Sequence, residues 1–447
     1  MPRNLITTFL ILAVQFAQAQ FAFVGAPAEG YELRIRNHID TIRIVDTHEH
    51  IGPQTRGNSI DNLDFMILLQ QYADDDIKSA GLSKPGFAGL FGDSLTAIEK
   101  WQILKPYWEK STNTTYNRLV NYTIQQLFEM DGLSDHTVEP LSERIRDAYR
   151  SDWYHKVIAE KSNIAYIIND HPNRKSGDPA IFRYTKRFDY LQLDTRQKIE
   201  QLAIQHSTTI LSLEDLEQTL KRDFEQALEE EFVTIKTTAA YYRTLYFHDV
   251  AREEAASVFN LIVNSNNQPL PEETTRILAD YMMHRILDLA LQYKKPIQIH
   301  TGLQAGDGNY IQHSNPVLLS NLFLKYRDVK FLLMHGAYPY GGELAVVAKN
   351  FRNVFFDISW VYTISPSYSE RYLHEWLETV PAGKIMGFGG DYDHVEHIYA
   401  HSLLAREILS RVLIDKVRDQ YLTEEEAVKI ASMVLFENAV GIFNLGE

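Results

Sequence analysis

Imidazole and carboxylate side chains recur along the chain at the ends of short apolar segments. They are His48, His50, His300, His335 and Asp391. On an extended backbone, side chains two positions apart point to the same side, so His48 and His50 can converge on one ion. Imidazole and carboxylate ligands suit zinc, and also manganese, iron or nickel. The residue types and their spacing therefore predict a divalent metal site, with zinc as the expected ion.

The apolar segments that precede these residues are typical of buried strands, and helical patterns separate them. Eight such segments are predicted, at residues 42–46, 165–168, 182–188, 233–236, 296–300, 330–335, 354–358 and 384–388. Strands that alternate with helices indicate a parallel sheet, and eight such units predict the α/β fold of a (β/α)8 TIM barrel. The pattern alone leaves a doubly wound open sheet as the alternative. In a TIM barrel the catalytic groups lie at the carboxyl ends of the strands, which is where the candidate ligands fall.

A long helical insertion, about residues 55–160, separates the first two predicted strands. We expect it to form a lid or a wall of the pocket at the carboxyl end of the barrel. Within it, the segments predicted to be helical are residues 60–73, 94–108, 115–128 and 141–161. Tyr72 and the acidic residues 74–76 are interpreted as a solvated turn. No linker rich in Pro, Gly or Ser divides the chain, so residues 20–447 are predicted to form one domain.

The N-terminal residues predict export. Arg3 precedes an apolar run over residues 5–14, and Ala17-Gln18-Ala19 fits the small-x-small cleavage rule. Residues 1–19 are therefore predicted to be a cleavable signal peptide, and the mature protein is expected in the periplasm or outside the cell. The apolar run is too short to span a bilayer as a mature helix, and no other stretch of the sequence is long enough.

The composition narrows the range of partners. Hydrophobic residues make up 45% of the 447 residues, which argues against disorder over most of the chain. The net charge of -15 argues against nucleic acid and anionic lipid as partners. Cysteine is absent, so metal ligands must be His, carboxylate, Lys-derived or backbone groups. We expect a small-molecule substrate, and a homo-oligomer is an open option.

Taken in chain order, the candidate residues resemble the signature of the amidohydrolase superfamily. The matching residues are His48-Glu49-His50, Lys236, His300, His335 and Asp391. The tracts 299–302 and 389–392 look like the amidohydrolase-2 branch. The insertion, with Thr115, Tyr116 and the run to Phe128, is similar to uronate isomerases and to the amidohydrolase-like half of FluG-type proteins. The resemblance implies a metal-dependent TIM-barrel enzyme that binds one or two ions.

The resemblance leaves two of these residues with open roles. In superfamily members with two metal ions, the Lys that matches Lys236 is carbamylated and bridges the ions. Lys236 could equally be a polar group that binds substrate, or have no role. His335 is expected either to bind a second ion or to stay free of metal and hydrogen-bond the reacting carbonyl.

The ligand set and the resemblance favour a hydrolase. The metal would lower the pKa of a bound water toward about 7 and polarise a carbonyl, and Asp391 would act as the general base. The bond would be a C–N or C–O bond of a small molecule, with carboxylated molecules among the candidates. The alternatives are a uronate-isomerase-like isomerase or decarboxylase, and a non-catalytic sugar- or metal-binding barrel. Substrate contacts are predicted from Arg243, beyond the fourth strand, and from Gln304 and Asn309, after the fifth.

Overall fold

Eight short parallel strands form one sheet in which their order follows the chain. The computed structural model describes residues 30–92, 94–173, 177–268, 270–306 and 308–446, so the predicted signal peptide lies outside the described residues. The strands are β1 (Ile44–Glu49), β2 (Ile164–Asn169), β3 (Phe182–Arg187), β4 (Thr234–Thr237), β5 (Ile297–Ile299), β6 (Phe331–Leu333), β7 (Val354–Asp357) and β8 (Ile385–Met386). Each predicted strand overlaps one of these.

Backbone hydrogen bonds bring the two ends of the sheet together. The amide of Thr47 donates to the carbonyl of Phe388 at 3.1 Å, and the amide of Asp391 donates to the carbonyl of His48 at 2.8 Å. Because neighbouring strands pair in parallel throughout and β1 meets the end of β8, the sheet is a nearly closed (β/α)8 barrel. The prediction of a TIM barrel is confirmed, and the open-sheet alternative is excluded.

Four of the barrel strands, β2, β6, β7 and β8, are apolar over most of their length because helices cover one face and the barrel interior covers the other. Every residue of β1, β4, β5, β6 and β8 is buried. Val45, Ile168, Leu332 and Met386 pack together with side chains of the C-terminal helix. These strands are therefore fixed on both faces, and their carboxyl ends are held in constant positions.

The helices fall into two groups. Those that surround the barrel are α1 (Tyr31–Thr41), α8 (Arg196–Gln205), α9 (Leu213–Glu229), α10 (Arg252–Asn264), α11 (Glu272–Gln292), α12 (Ser320–Lys325), α13 (Gly341–Asn350), α14 (Val361–Ile364), α15 (Pro366–Thr379), α16 (Glu396–Arg418), α17 (Glu424–Ser432) and α18 (Asn438–Phe443). Those of the insertion are α2 (Ala73–Ser79), α3 (Lys84–Ala88), α4 (Ala97–Ser111), α5 (Thr115–Phe128), α6 (Val138–Tyr149) and α7 (Trp153–His155), which continues as a π-helix over Lys156–Lys161. No helix in the described ranges is long and apolar enough to cross a membrane.

The start of the insertion differs from its prediction as one helix. Residues 60–73 contain the end of one 3-10 segment, Gly57–Asn62, all of a second, Phe65–Leu69, and a break before α2. Gln71 and Tyr72 both have positive φ, 53° and 74°, which stops a right-handed helix at this point. All five residues of the second 3-10 segment are buried, so this stretch has no polar helical face.

Candidate metal centre

The carboxyl ends of β1 and β8 place three of the predicted ligands in contact. Nε2 of His48 and Nε2 of His50 each lie 3.1 Å from Oδ1 of Asp391. The two imidazole rings meet edge to face with centroids 4.7 Å apart. Asp391 follows two glycines and has a left-handed φ of 65°, a conformation that directs its carboxylate toward the end of β1. Two imidazoles and one carboxylate oxygen thus converge on one point.

Hydrogen bonds fix the orientation of two of the imidazoles. Nδ1 of His50 lies 3.1 Å from the carbonyl oxygen of Asp170, so this nitrogen donates. Nε2 of His300 lies 2.9 Å from the carbonyl oxygen of Leu303 and donates in the same way. In a neutral imidazole the other nitrogen then carries a lone pair, so His50 offers Nε2 and His300 offers Nδ1 as ligand atoms.

His335 is positioned by a chain of polar contacts at the end of β6 and β7. The hydroxyl of Ser359 donates to Oδ1 of Asp357 at 2.7 Å and lies 2.9 Å from Nδ1 of His335, from which it can accept. That arrangement leaves the lone pair on Nε2, which is buried without a hydrogen-bond partner in the described part of the chain. The His335 ring packs on that of His300 with centroids 4.3 Å apart. His335 therefore belongs to the same cluster.

The electrostatics of the cluster favour an ionised carboxylate at Asp391 and neutral imidazoles at His48 and His300. Burial, and then the charge of Lys236, lower the pKa of His48 to about 4 and that of His300 to about 3. Burial alone would raise the pKa of Asp391, but the facing imidazoles, His48 first, hold it well below its usual value. Metal ligation requires neutral imidazole and ionised carboxylate, and these forms are favoured at His48, His300 and Asp391. Burial alone would lower the pKa of His50, but the hydrogen bond to Asp391 and the charge of that carboxylate raise it.

Lys236 lies inside the cluster and not at its edge. Its Nζ is 3.1 Å from Nε2 of His48 and 2.7 Å from Sδ of Met334, and the residue is buried. Burial lowers the pKa of the amine to about 8, although Asp170 and Asp391 oppose this shift. An appreciable fraction of the amine is therefore uncharged near neutral pH, which carbamylation requires.

The donor set fits a divalent cation. One ligand atom from each of His48, His50 and Asp170 lies within 4.8 Å of the others. Nδ1 of His48 has no hydrogen-bond partner among the described residues, as Nε2 of His335 also has none. Buried polar atoms normally have partners, so this concentration of free imidazole nitrogen around an ionised carboxylate indicates a ligand site.

Asp170 lies beside this cluster, although the sequence assigns it no role. Its carboxylate accepts from the guanidinium of Arg187, with Nε 2.9 Å from Oδ2, and from the hydroxyl of Thr185 at 2.7 Å. These contacts occupy the carboxylate, while the backbone carbonyl of Asp170 orients His50. Both Arg187 and Asp170 lie at the ends of predicted strands, and that position is the signal that could have identified them.

A cavity of about 360 Å³ opens onto the cluster. It is lined by His48, His50, Gln71, Tyr72, Arg187, Gln192, Lys236, Thr238, Tyr241, Tyr242, His300, Ala305 and Asp391. Apart from the metal-binding candidates, its walls are thus tyrosines, amides and one guanidinium. The barrel supplies one side of the cavity and the insertion supplies Gln71 and Tyr72.

The interpretation of Tyr72 as part of a solvated turn is wrong. Tyr72 is buried, and its hydroxyl donates to Oδ2 of Asp391. Its ring stacks on Trp360, with centroids 4.1 Å apart, and on Tyr116, at 5.6 Å. Burial, followed by the charge of Asp391, raises the pKa of Tyr72 well above its usual value, so the phenol keeps the proton that it donates.

The structure does not bring the three predicted substrate contacts into this cavity. The guanidinium of Arg243 forms a buried ion pair with Asp280 and donates to the carbonyl of Tyr246 at 2.9 Å. The amide of Gln304 donates to the carbonyl of Ala240, and Asn309 Nδ2 donates to the carbonyl of Gln304 at 2.9 Å. Arg243 therefore ties the end of β4 to α11, and the two amides hold the loop after β5.

The fold and the site together define a metal-dependent TIM-barrel enzyme, and comparisons with known proteins agree. The sequence profile of the amidohydrolase family (Amidohydro_2) matches residues 238–433. A segment of 183 residues is 31% identical to protein fluG of Emericella nidulans, and this match covers 40% of the chain but only 21% of that relative. The part of the chain that contains His300, His335 and Asp391 therefore matches the amidohydrolase family.

Solved structures share the barrel over almost the whole chain. Uronate isomerase from Thermotoga maritima has a TM-score of 0.76 at 15% identity, covering 92% of this chain and 97% of that one. Glucuronate isomerase from Caulobacter crescentus has a TM-score of 0.74 at 16% identity, covering 93% and 94%. A structure described as a putative metal-dependent hydrolase from Lactobacillus casei has a TM-score of 0.62 at 18% identity, covering 92% and 97%. At these identities the likeness establishes the fold.

Proposed function

We propose that this protein is a zinc-dependent hydrolase that cleaves a C–N or C–O bond of a small carboxylated molecule. The observation that carries the proposal is the position of Lys236, whose amine lies 3.1 Å from Nε2 of His48 within the ligand cluster. As a carbamate, Lys236 would bridge two ions. As an ammonium, it would stabilise the oxyanion that forms when water adds to an acyl carbon. Either form serves hydrolysis.

The ligand cluster defines the roles of the other residues. His48, His50, His300 and Asp391 would hold the divalent cation, which when bound supplies Lewis acidity toward a carbonyl and lowers the pKa of water. Asp391 stays ionised, and Tyr72 donates to its Oδ2, which holds the carboxylate in place. The carboxylate would take a proton from the attacking water and return it to the leaving group. His335, with Nε2 free, would hydrogen-bond the reacting carbonyl or bind a second ion.

Arg187 is the group best placed to select a carboxylated substrate. It lines the cavity, and its side chain is 39% exposed while Asp170 holds its Nε and one terminal nitrogen. A guanidinium fixed in this way has little conformational entropy left to lose when it binds a carboxylate. The cavity volume of about 360 Å³ is within the range of pockets that bind small molecules, and a second cavity of about 630 Å³ shares His50 and Arg187 with it.

An isomerase acting on a sugar acid is the second candidate. It is favoured by the likeness to two uronate isomerase structures over more than 90% of the chain, insertion included. The same carboxylate and phenol would then move a proton between neighbouring carbons of the substrate. A decarboxylase on the same site would use Lys236 or Arg187 to orient the departing carboxylate.

The reaction class can be tested by isotope transfer. Zinc-loaded protein would be incubated in H₂¹⁸O with N-acyl amino acids, half-amides of dicarboxylic acids, lactones and hexuronates. Hydrolysis places one solvent oxygen in the product acid, isomerisation yields a ketose without a new acid, and decarboxylation releases CO₂. We expect labelled acid from an amide or lactone. Turnover of hexuronates alone, with no labelled acid from the other substrates, would replace the hydrolase with the isomerase.

Export through the N-terminal signal is also part of the proposal. The apolar run at residues 5–14 and the Ala17-Gln18-Ala19 tract support cleavage before Gln20. Protein recovered from the periplasm or medium of an expressing bacterium should begin at Gln20 when its N-terminus is sequenced. Exported protein that retains Met1 would contradict cleavage.

A further inference from the structure

Asp391 sits in a left-handed turn that the barrel alone does not explain. A φ of 65° is uncommon for a residue with a side chain, and such a conformation persists only where surrounding contacts hold it. Three consecutive amides, of Gly390, Asp391 and Tyr392, all donate to residues of β1. The end of β1 therefore holds this turn at every residue.

Two of the three acceptors are carboxyl side chains. The amide of Gly390 donates to Oδ1 of Asp46 at 3.1 Å, and the amide of Tyr392 donates to Oε2 of Glu49 at 2.6 Å. Asp46 and Glu49 are fully buried, and burial raises the pKa of both carboxyl groups, each of which also shifts the pKa of the other. We call these two residues the carboxyl pair. One member holds the residue before Asp391, and the other holds the residue after it.

The fit between the carboxyl pair and the turn is close. A Cβ atom on Gly390 would lie 1.8 Å from Oε1 of Glu49, so only glycine can occupy this position while Glu49 keeps its place. Glu49 stands between the two histidines of the motif on β1, yet its side chain takes the opposite direction from theirs. It contacts the turn and is not among the residues that line the cavity.

We propose that Glu49, together with Asp46, is a positioning residue that holds the turn of Asp391 so that its carboxylate meets His48 and His50. The role requires an acceptor at the length of a glutamate side chain, because Oε2 must reach the amide of Tyr392. It requires no charge, since an amide oxygen accepts equally well and an amide nitrogen can donate to Asp46. This inference rests on the proposed function only in assuming that the position of Asp391 matters for turnover.

The contrast between Glu49→Gln and Glu49→Asp tests this requirement. Glu49→Gln keeps the reach and the acceptor, so its Co²⁺ affinity and turnover should stay close to those of the unaltered protein. Glu49→Asp keeps the acid but shortens it, so it should lose about 10–100-fold in Co²⁺ affinity or in kcat, with KM changing less. Co²⁺ titration followed by visible absorption gives a readout that does not depend on activity.

Glu396 offers a matched control. It is also a buried glutamate, and its Oε1 accepts from Nε1 of Trp153 at 2.8 Å, away from the turn of Asp391. Glu396→Asp should lower thermal stability without changing the Co²⁺ spectrum or affinity. Reduced Co²⁺ affinity in Glu49→Asp but not in Glu396→Asp supports the positioning role even if the protein turns over no amide or lactone.

Two results with the Glu49 variants would overturn the inference. If Glu49→Gln loses Co²⁺ affinity or kcat as strongly as Glu49→Asp, an uncharged acceptor of the right length is not sufficient, and the positioning role as stated is wrong. If Glu49→Asp binds Co²⁺ with unchanged affinity and spectrum and keeps its kcat, the turn does not depend on Glu49. If Glu49→Asp does not fold, Gly390→Ala gives the second test, because it pushes Glu49 from its place, and normal Co²⁺ binding there would equally contradict the role.

Discussion

The β1–β8 junction of the barrel and the Gln71–Tyr72 segment of the insertion both reach Asp391, but they contact it in different ways. At the junction, strand backbone and buried carboxyl groups fix the main chain around Asp391. From the insertion, a single phenol donates to the free oxygen of its carboxylate. The barrel thus fixes the position of the Asp391 carboxylate, and the insertion supplies a hydrogen bond to it. Changes in the two regions should therefore have different consequences.

Loss of an imidazole from the barrel should have the largest effect. His300→Ala removes a predicted ligand atom that the carbonyl of Leu303 orients, and metal and activity should be lost together.

Asp391→Asn should differ, because it keeps an oxygen near the metal but removes the proton acceptor. Its turnover should fall by about 10²–10⁴-fold while metal content falls modestly. Elemental analysis and steady-state kinetics on the same preparations measure both quantities.

Near-normal turnover of Asp391→Asn at full metal occupancy would show that another residue is the base. His300→Ala that retains metal would instead remove His300 from the ligand set. Either result would weaken the view that the barrel side of the site does the chemistry.

Lys236→Ala should have the next largest effect and would sharpen the barrel side of the comparison. If the lysine is carbamylated, protein expressed with bicarbonate should contain two ions per chain, and the variant about one or fewer. Added short-chain carboxylic acids should restore part of the activity by taking the place of the carbamate. Equal metal content in both proteins would leave Lys236 as a substrate-binding ammonium.

The insertion is tested by Tyr72→Phe, which removes one hydroxyl and leaves the stacking on Trp360. Hydrogen bonds to charged groups contribute about 1.5–3 kcal/mol, so kcat should fall by about 10–150-fold. Metal content should not change. Tyr107→Phe, on α4 of the insertion and away from the residues that line the cavity, is the matched control. A metal loss in Tyr72→Phe alone would mean that the insertion helps to build the site.

The sequence predicted the barrel side of this comparison far better than the insertion side. Strands buried on both faces leave continuous apolar runs, and the end of such a run marks a candidate ligand position such as His335. Tyr72 gives no such signal. Its place next to Asp391 depends on two successive residues with left-handed φ and on the packing of Trp360, which is distant in sequence. Neither follows from periodicity or from local propensity.

Arg243 and Arg187 show the same limit within the barrel. Arg187 ends β3 and Arg243 follows β4, so either guanidinium could bind a substrate carboxylate as far as the sequence indicates. Arg243 pairs instead with Asp280, which is 37 positions away on α11, and stacks its guanidinium 4.1 Å from the ring centroid of Phe247. Arg187 pairs with Asp170 and still lines the cavity. A strand-end position predicts that a side chain is near the site but not which partner it takes.

The two arginines therefore provide the last prediction, in which the effect on catalysis is smallest. Arg187→Gln should raise KM for a carboxylated substrate by about tenfold or more, because it removes a charge-assisted hydrogen-bond donor. It should also lower stability, because Asp170 is left buried without its charged partner. Arg243→Gln should leave KM and kcat per folded molecule unchanged. It should instead lower the free energy of unfolding by about 3–5 kcal/mol, because Asp280 is left buried without its partner. Urea denaturation and steady-state kinetics on both variants separate the two effects. If Arg243→Gln raises KM while stability is unchanged, the substrate reaches further along the end of β4 than the cavity indicates, and the original prediction for Arg243 would be restored.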